Sequence, residues 1–140
     1  MMSSVYYLKG DEPVFDLLSS GNYNVLRVAA DPGSHNYDSR RFEYNRLFQQ
    51  IGVSIPSYLI FELSQCRNME PVTLRMMADL TLRARQCHGD ACLVSCSPEL
   101  EERIAQVSEL LPSSRRFLWS GYQTLADGVA GAIRFATQQN

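Results

Sequence analysis

The sequence predicts an α/β fold: a mixed β-sheet of about four to six strands, largely parallel in its second half, packed with four helices. Three observations predict it. Apolar runs of strand length alternate with stretches of helical periodicity along most of the chain. The run Tyr58-Leu-Ile-Phe-Glu-Leu63 is nearly continuous apolar, as a strand covered on both faces would be. Helix-opening signals follow the strand-like runs at short distances, which is the order of successive β-α units.

Taken in order, Val5-Tyr-Tyr-Leu8 reads as a short strand ended by Lys9-Gly10-Asp11. Val14-Phe-Asp-Leu-Leu18 fits a strand or a helical turn, before the turn residues Ser19-Ser-Gly-Asn22. Asn24–Ala30 is a clearer strand, stopped by Asp31-Pro32-Gly33-Ser34. The N-terminal strands are expected to pair antiparallel at one side of the sheet. A helix begins near Asp38-Ser39, with Tyr44, Leu47, Phe48 and Ile51 on one face and Gly52 as its C-terminal cap.

After the strand at 58–63 comes a turn, then a long helix from about Pro71 to Cys87. Pro71 suits the first helical turn, where its missing N–H costs little. Thr73, Met76, Met77, Leu80, Ala84 and Cys87 form its buried stripe. Ala91–Cys96 is the next strand. Ser97-Pro98-Glu99 opens the third helix, with Ser97 as N-cap and acids behind it. Leu100, Ile104, Val107 and Leu111 make its stripe, and Pro112 ends it. Arg116–Trp119 is a short strand, and the last helix starts near Tyr122, with Leu125, Ala126, Val129, Ala132, Ile133 and Ala136 facing inward.

The chain has 140 residues, 45% hydrophobic and 20% charged, which suits a single domain spanning 1–140. A net charge of -2 and a pI near 5.6 do not favour nucleic-acid binding. Arg40-Arg41 and Arg115-Arg116 read as solvated surface. No apolar run reaches the length of a membrane span, and the N-terminus lacks the pattern of a signal peptide, so no direct membrane insertion and a cytoplasmic location are expected. Cys66, Cys87, Cys92 and Cys96 fit buried thiols in a reducing compartment.

Metal and catalytic chemistry find little support. Cys87-His88…Cys92…Cys96 offers zinc-type ligands, but residues four apart on a strand lie roughly 13 Å apart, too far to share one tetrahedral ion. His35 and His88 both fall in loops beside Gly or Ser, and Cys66 lacks any sign of an activating base. There is no Gly-x-Ser-x-Gly elbow and no glycine-rich phosphate loop. The expectation is a chain that is not an enzyme and holds no cofactor or metal.

The order and spacing of these elements resemble the STAS family, the sulfate transporter and anti-sigma factor antagonist domains. The residues that carry the resemblance are Leu59–Leu74, Ala91–Leu100, Phe117-Leu-Trp119 and Thr124–Ala130. In that family a strand, a loop and an Asp-Ser-Ser/Thr-Gly motif open a helix, and the motif serine is phosphorylated by a partner kinase. Here Glu70 stands in the Asp position, Pro71 and Val72 take the two hydroxyl positions, and Thr73 replaces the glycine. Neither Pro nor Val accepts phosphate. Thr73 is the one hydroxyl nearby, and its helical phase puts it on the buried stripe.

The resemblance implies a non-catalytic, protein-binding regulatory module of bacterial signal transduction and transcription control, working by partner switching. Its partner would be an anti-sigma factor or a histidine-kinase-like ATPase, with a homodimer as a further arrangement. The docking edge would comprise the loop with Arg67, Asn68 and Glu70 and the following helix, where Leu74, Ala78 and Leu82 form a second, mildly apolar stripe beside Arg75. Contact with a neighbouring helix of the same fold would explain that stripe equally. Two other functions stay open: an accessory subunit of a membrane transporter ATPase, and a small-molecule sensor.

Overall fold

The computed structural model describes residues 13–32, 37–113 and 119–138. Five strands form one sheet in the order β1-β2-β3-β4-β5. They are β1 (Phe15–Ser19), β2 (Asn24–Val28), β3 (Tyr58–Glu62), β4 (Asp90–Val94) and β5 (Ser120–Tyr122). The helices are α1 (Tyr37–Gln50), α2 (Pro71–Gln86), α3 (Pro98–Ser108) and α4 (Leu125–Gln138). β1 pairs antiparallel with β2, and every later pair is parallel. The ambiguous segment at 14–18 is thus a strand, and the predicted mixed sheet stands.

Parallel neighbours need crossovers, and crossovers of one hand stepping in one direction put their helices on one face. α1, α2 and α3 occupy that face over a core that includes Leu26, Val28, Leu47, Leu59, Phe61 and Met77. α4 folds back over the other face onto Val25, Tyr58, Ile60, Cys92 and Val94. β3 lies between these two layers. All five of its residues are therefore buried, which is why its sequence does not alternate.

α4 differs from its predicted seating. It starts at Leu125, and Tyr122 belongs to β5. Ala126 and Ile133 face solvent; Gly128, Gly131 and Ala132 are the buried set. A Cβ at Gly128 would strike Val94, and one at Gly131 would strike the Tyr122 hydroxyl. The helix approaches the sheet through residues that have no side chain, which a search for apolar stripes does not weight.

Smaller differences follow from local chemistry. β4 ends at Val94 because Ser95 turns the chain at φ 58°, so Cys96 is not on the strand. α3 ends at Ser108, although Leu111 stays buried through the turn that follows. The fifth strand lies at 120–122, and Trp119 precedes it; residues 116–118 of the predicted strand fall outside the described residues, as does Val5–Leu8. Among the described residues no helix is long and apolar enough to cross a membrane.

Candidate protein-docking rim

The C-terminal ends of the parallel strands form a rim, and the loop from β3 to α2 is its centre. β3 ends on Glu62, which is only 5% exposed. Its carboxylate accepts from the Ser64 backbone N–H at 2.5 Å, the Ser64 hydroxyl at 2.9 Å and Arg27 Nε on β2 at 3.2 Å. Burial pushes its pKa up, but Ser64 and the Arg27 guanidinium outweigh burial and hold it below the ordinary value. Glu62 is therefore the charged clasp that fixes where the loop leaves the sheet.

The rest of the loop is pinned from several sides. Arg67 N–H donates to the Ala30 carbonyl at 3.0 Å, and the Cys66 thiol donates to the Asn68 carbonyl at 3.1 Å. Met69 is fully buried, and its carbonyl accepts from Arg103 Nε on α3 at 3.3 Å. The Asn68 amide donates to Glu70 at 3.0 Å. With its inner residues tied down, the loop shows Ser64, Gln65 and Arg67 to solvent and half-exposes Asn68 and Glu70. A cleft of ≈ 340 Å³ lies between Ala30, Asp31, Arg67 and Asn68.

α2 opens at the end of this loop. Glu70 is its N-cap and makes no side-chain cap bond; Pro71 fills the first turn. Thr73 is fully buried, and its hydroxyl has no hydrogen-bond partner. Val72 is 37% exposed, and Arg75 one turn on is exposed.

The second stripe on α2 needs correction. Leu74 and Ala78 are completely buried, and Leu82 is half-buried. α2 is the middle helix of its layer and contacts both α1 and α3. Its flanks are closed by those neighbours, so Leu74 and Ala78 are core residues and offer nothing to a partner. Arg67, Asn68, Glu70 and Arg75 do reach the rim.

Sequence reasoning missed a groove beside them. Arg40, Arg41 and Tyr44 of α1 meet Val72 and Met76 of α2 around a hollow of ≈ 120 Å³. The one signal for it was Val72, an apolar residue off the stripe, directly after Pro71. The arginine doublet looked like ordinary surface because its neighbours lie some thirty residues away in sequence.

Among the described residues no histidine lies at this rim. Burial raises the Cys66 thiol above its ordinary pKa, which disfavours the thiolate. His88 lies between α2 and β4, at the opposite end of the parallel strands, and His35 falls outside the described residues. Cys92 is on the α4 face, whereas Cys96 and Cys66 share the other core, near enough for Cys66 to help raise the Cys96 thiol.

Neither a protein-family model nor a curated protein sequence matches the chain. Solved structures do. RsbS from Moorella thermoacetica is similar at 16% identity and TM-score 0.62, over 86% of this chain and 97% of that one. An anti-sigma-factor antagonist (STAS) domain protein from Planctomyces limnophilus is similar at 11% identity and TM-score 0.61, over 85% of this chain and 97% of that one. Murine Solute Carrier 26 family member A9, an anion transporter, is similar at 15% identity and TM-score 0.56, over 81% of this chain but 18% of that one. The chain has the STAS fold.

Proposed function

We propose that this chain is a non-catalytic regulatory module of the anti-sigma factor antagonist kind, which docks a protein partner on the rim formed by the Ser64–Glu70 loop and the start of α2. The observation that carries the reading is the pairing of the STAS fold with a loop that is rigid inside and exposed outside. The loop presents Arg67, Asn68 and Glu70, with Val72 and Arg75 behind them. A preorganised surface loses little entropy when it binds. The partner is an anti-sigma factor or a histidine-kinase-like ATPase, and the setting is the bacterial cytoplasm.

Phosphorylation of the usual motif is not its switch. Pro71 and Val72 lack hydroxyls, and Thr73 is enclosed. Availability is then set by other means, such as abundance or competition between partners.

The test is affinity capture from native lysate with mass-spectrometric identification, comparing the wild type with Arg67→Glu/Arg75→Glu. Recovery of a histidine-kinase-type ATPase or its anti-sigma relative by the wild type, and its loss with the variant, is the expected result. Recovery of transporter subunits instead would favour the transporter-accessory reading, which the likeness to the anion transporter supports. Equal capture by both proteins would remove the rim from the proposal.

A further inference from the structure

A second opening lies at the edge of the sheet, between α3 and β5. β5 is three residues long, and Gly121 at its centre leaves open space where a side chain would stand. The cleft is ≈ 280 Å³, and Leu93, Cys96, Glu101, Trp119, Gly121 and Tyr122 are among the residues that line it. That is just below the range for drug-sized ligand sites, about 300–1,000 Å³, and suits a small ligand.

Its walls are fixed. Trp119 donates its indole N–H to the Thr81 hydroxyl at 2.9 Å, and Thr81 donates onward to the Met77 carbonyl at 2.8 Å. The same indole meets Phe61 edge-on, with ring centroids 6.5 Å apart. Glu101 is exposed on the first turn of α3 and makes no ion pair among the described residues. Its charge reaches into the cleft: after burial, Glu101 is the next cause pushing the Cys96 thiol up to about 11. No described cation lines the opening.

We propose that this cleft binds a small organic ammonium ion, an alkyl- or arylamine, with its charge beside Glu101 and its apolar part against Leu93, Trp119 and the gap left by Gly121. A carboxylate at the mouth of a pocket lined by Leu93 and an indole favours a cation with an apolar part over an anionic ligand of equal size. The cleft opens on the same rim of the sheet as the docking loop, toward the β5 edge, but shares no lining residue with that loop, and its test does not depend on it.

Trp119 is the only tryptophan in the chain, so its fluorescence reports on the cleft directly. The full-length protein is titrated with phenethylammonium chloride and, separately, with 3-phenylpropionate, which has similar size and opposite charge. The expected result is a saturable change with the ammonium ion and a response at least about tenfold weaker with the carboxylate. Glu101→Gln should weaken ammonium binding about fivefold. Gly121→Val should abolish it by filling the gap, with a circular dichroism spectrum like the wild type. If that variant misfolds, Glu101→Gln, a surface change, decides alone. No saturable response, equal responses to the two probes, or indifference to Glu101→Gln would each overturn the proposal.

Discussion

The helices α2 and α3 begin at the same rim of the sheet, each after a parallel strand and each with proline in its first turn, yet their ends are finished differently. Ser97 caps α3, its hydroxyl accepting from the Leu100 N–H at 3.1 Å, and Glu99 and Glu101 complement the helix dipole. α2 has Glu70 in the capping position with no cap bond, no acid in its first turn, and the Thr73 hydroxyl buried without a partner. One terminus is completed by its own residues. The other is built on a rigid loop, and neither the Glu70 side chain nor the enclosed Thr73 hydroxyl completes it. On the proposed function, α3 would then serve stability and the start of α2 would serve binding.

The largest predicted effect tests whether the body of α2 is core or surface. Leu74→Ala should destabilise the protein by about 2–5 kcal/mol in urea unfolding, because Leu74 is fully enclosed. A loss below about 0.5 kcal/mol would mean that the α2 flank is open, and would restore it as a docking face.

A second effect, somewhat smaller, concerns two buried carboxylates that differ as the two helix ends do. Glu62 is fully partnered and held low. Glu43 on α1 is 6% exposed and accepts from the Val14 and Phe15 N–H groups at 3.0 and 2.9 Å. Burial raises its pKa from 4.5 to about 7, since those two bonds and nearby Arg46 only partly compensate, and Asp16 adds to the rise. The native state therefore keeps a proton that the unfolded chain has lost. Stability from this group should fall as pH rises from about 4.5 to 7, by on the order of 2–3 kcal/mol. Glu43→Gln keeps an acceptor oxygen and should flatten that part of the profile; an unchanged slope would assign it to other groups.

The smallest effects bear on the caps themselves. Ser97→Ala should cost about 1 kcal/mol and leave partner capture intact. Glu70→Asp, which offers α2 a better cap, should add about 0.5 kcal/mol while weakening capture. Thermal unfolding with parallel capture assays checks both. Equal behaviour of the two variants in capture would erase the distinction between the two termini.

Much of this was legible in the sequence. Pro71 and Ser97-Pro98 marked both helix starts correctly, and the unbroken apolar run of β3 announced a strand covered twice. Within the rim, Arg67 is exposed and Asn68 and Glu70 are half-exposed, as a loop position suggests, and Arg75 on α2 is exposed beside the second stripe. Leu74 and Ala78 are not, because periodicity reports that a helix has an apolar face but not how many neighbours surround it. Gly128 and Gly131 show the converse: the closest approach of α4 is made by residues that carry no hydrophobic signal.

The sequence by itself determined the order of elements, the mixed sheet and the absence of a hydroxyl at the two motif positions, since these follow from local pattern and residue chemistry. Tertiary structure alone decided which surfaces stay open. It set α2 between two helices, brought Arg40 and Tyr44 to Val72 and Met76, and stood Glu101 across a cleft from Trp119. Each of these joins residues far apart in the chain. Crossover geometry and packing, which no local pattern encodes, fix such distances.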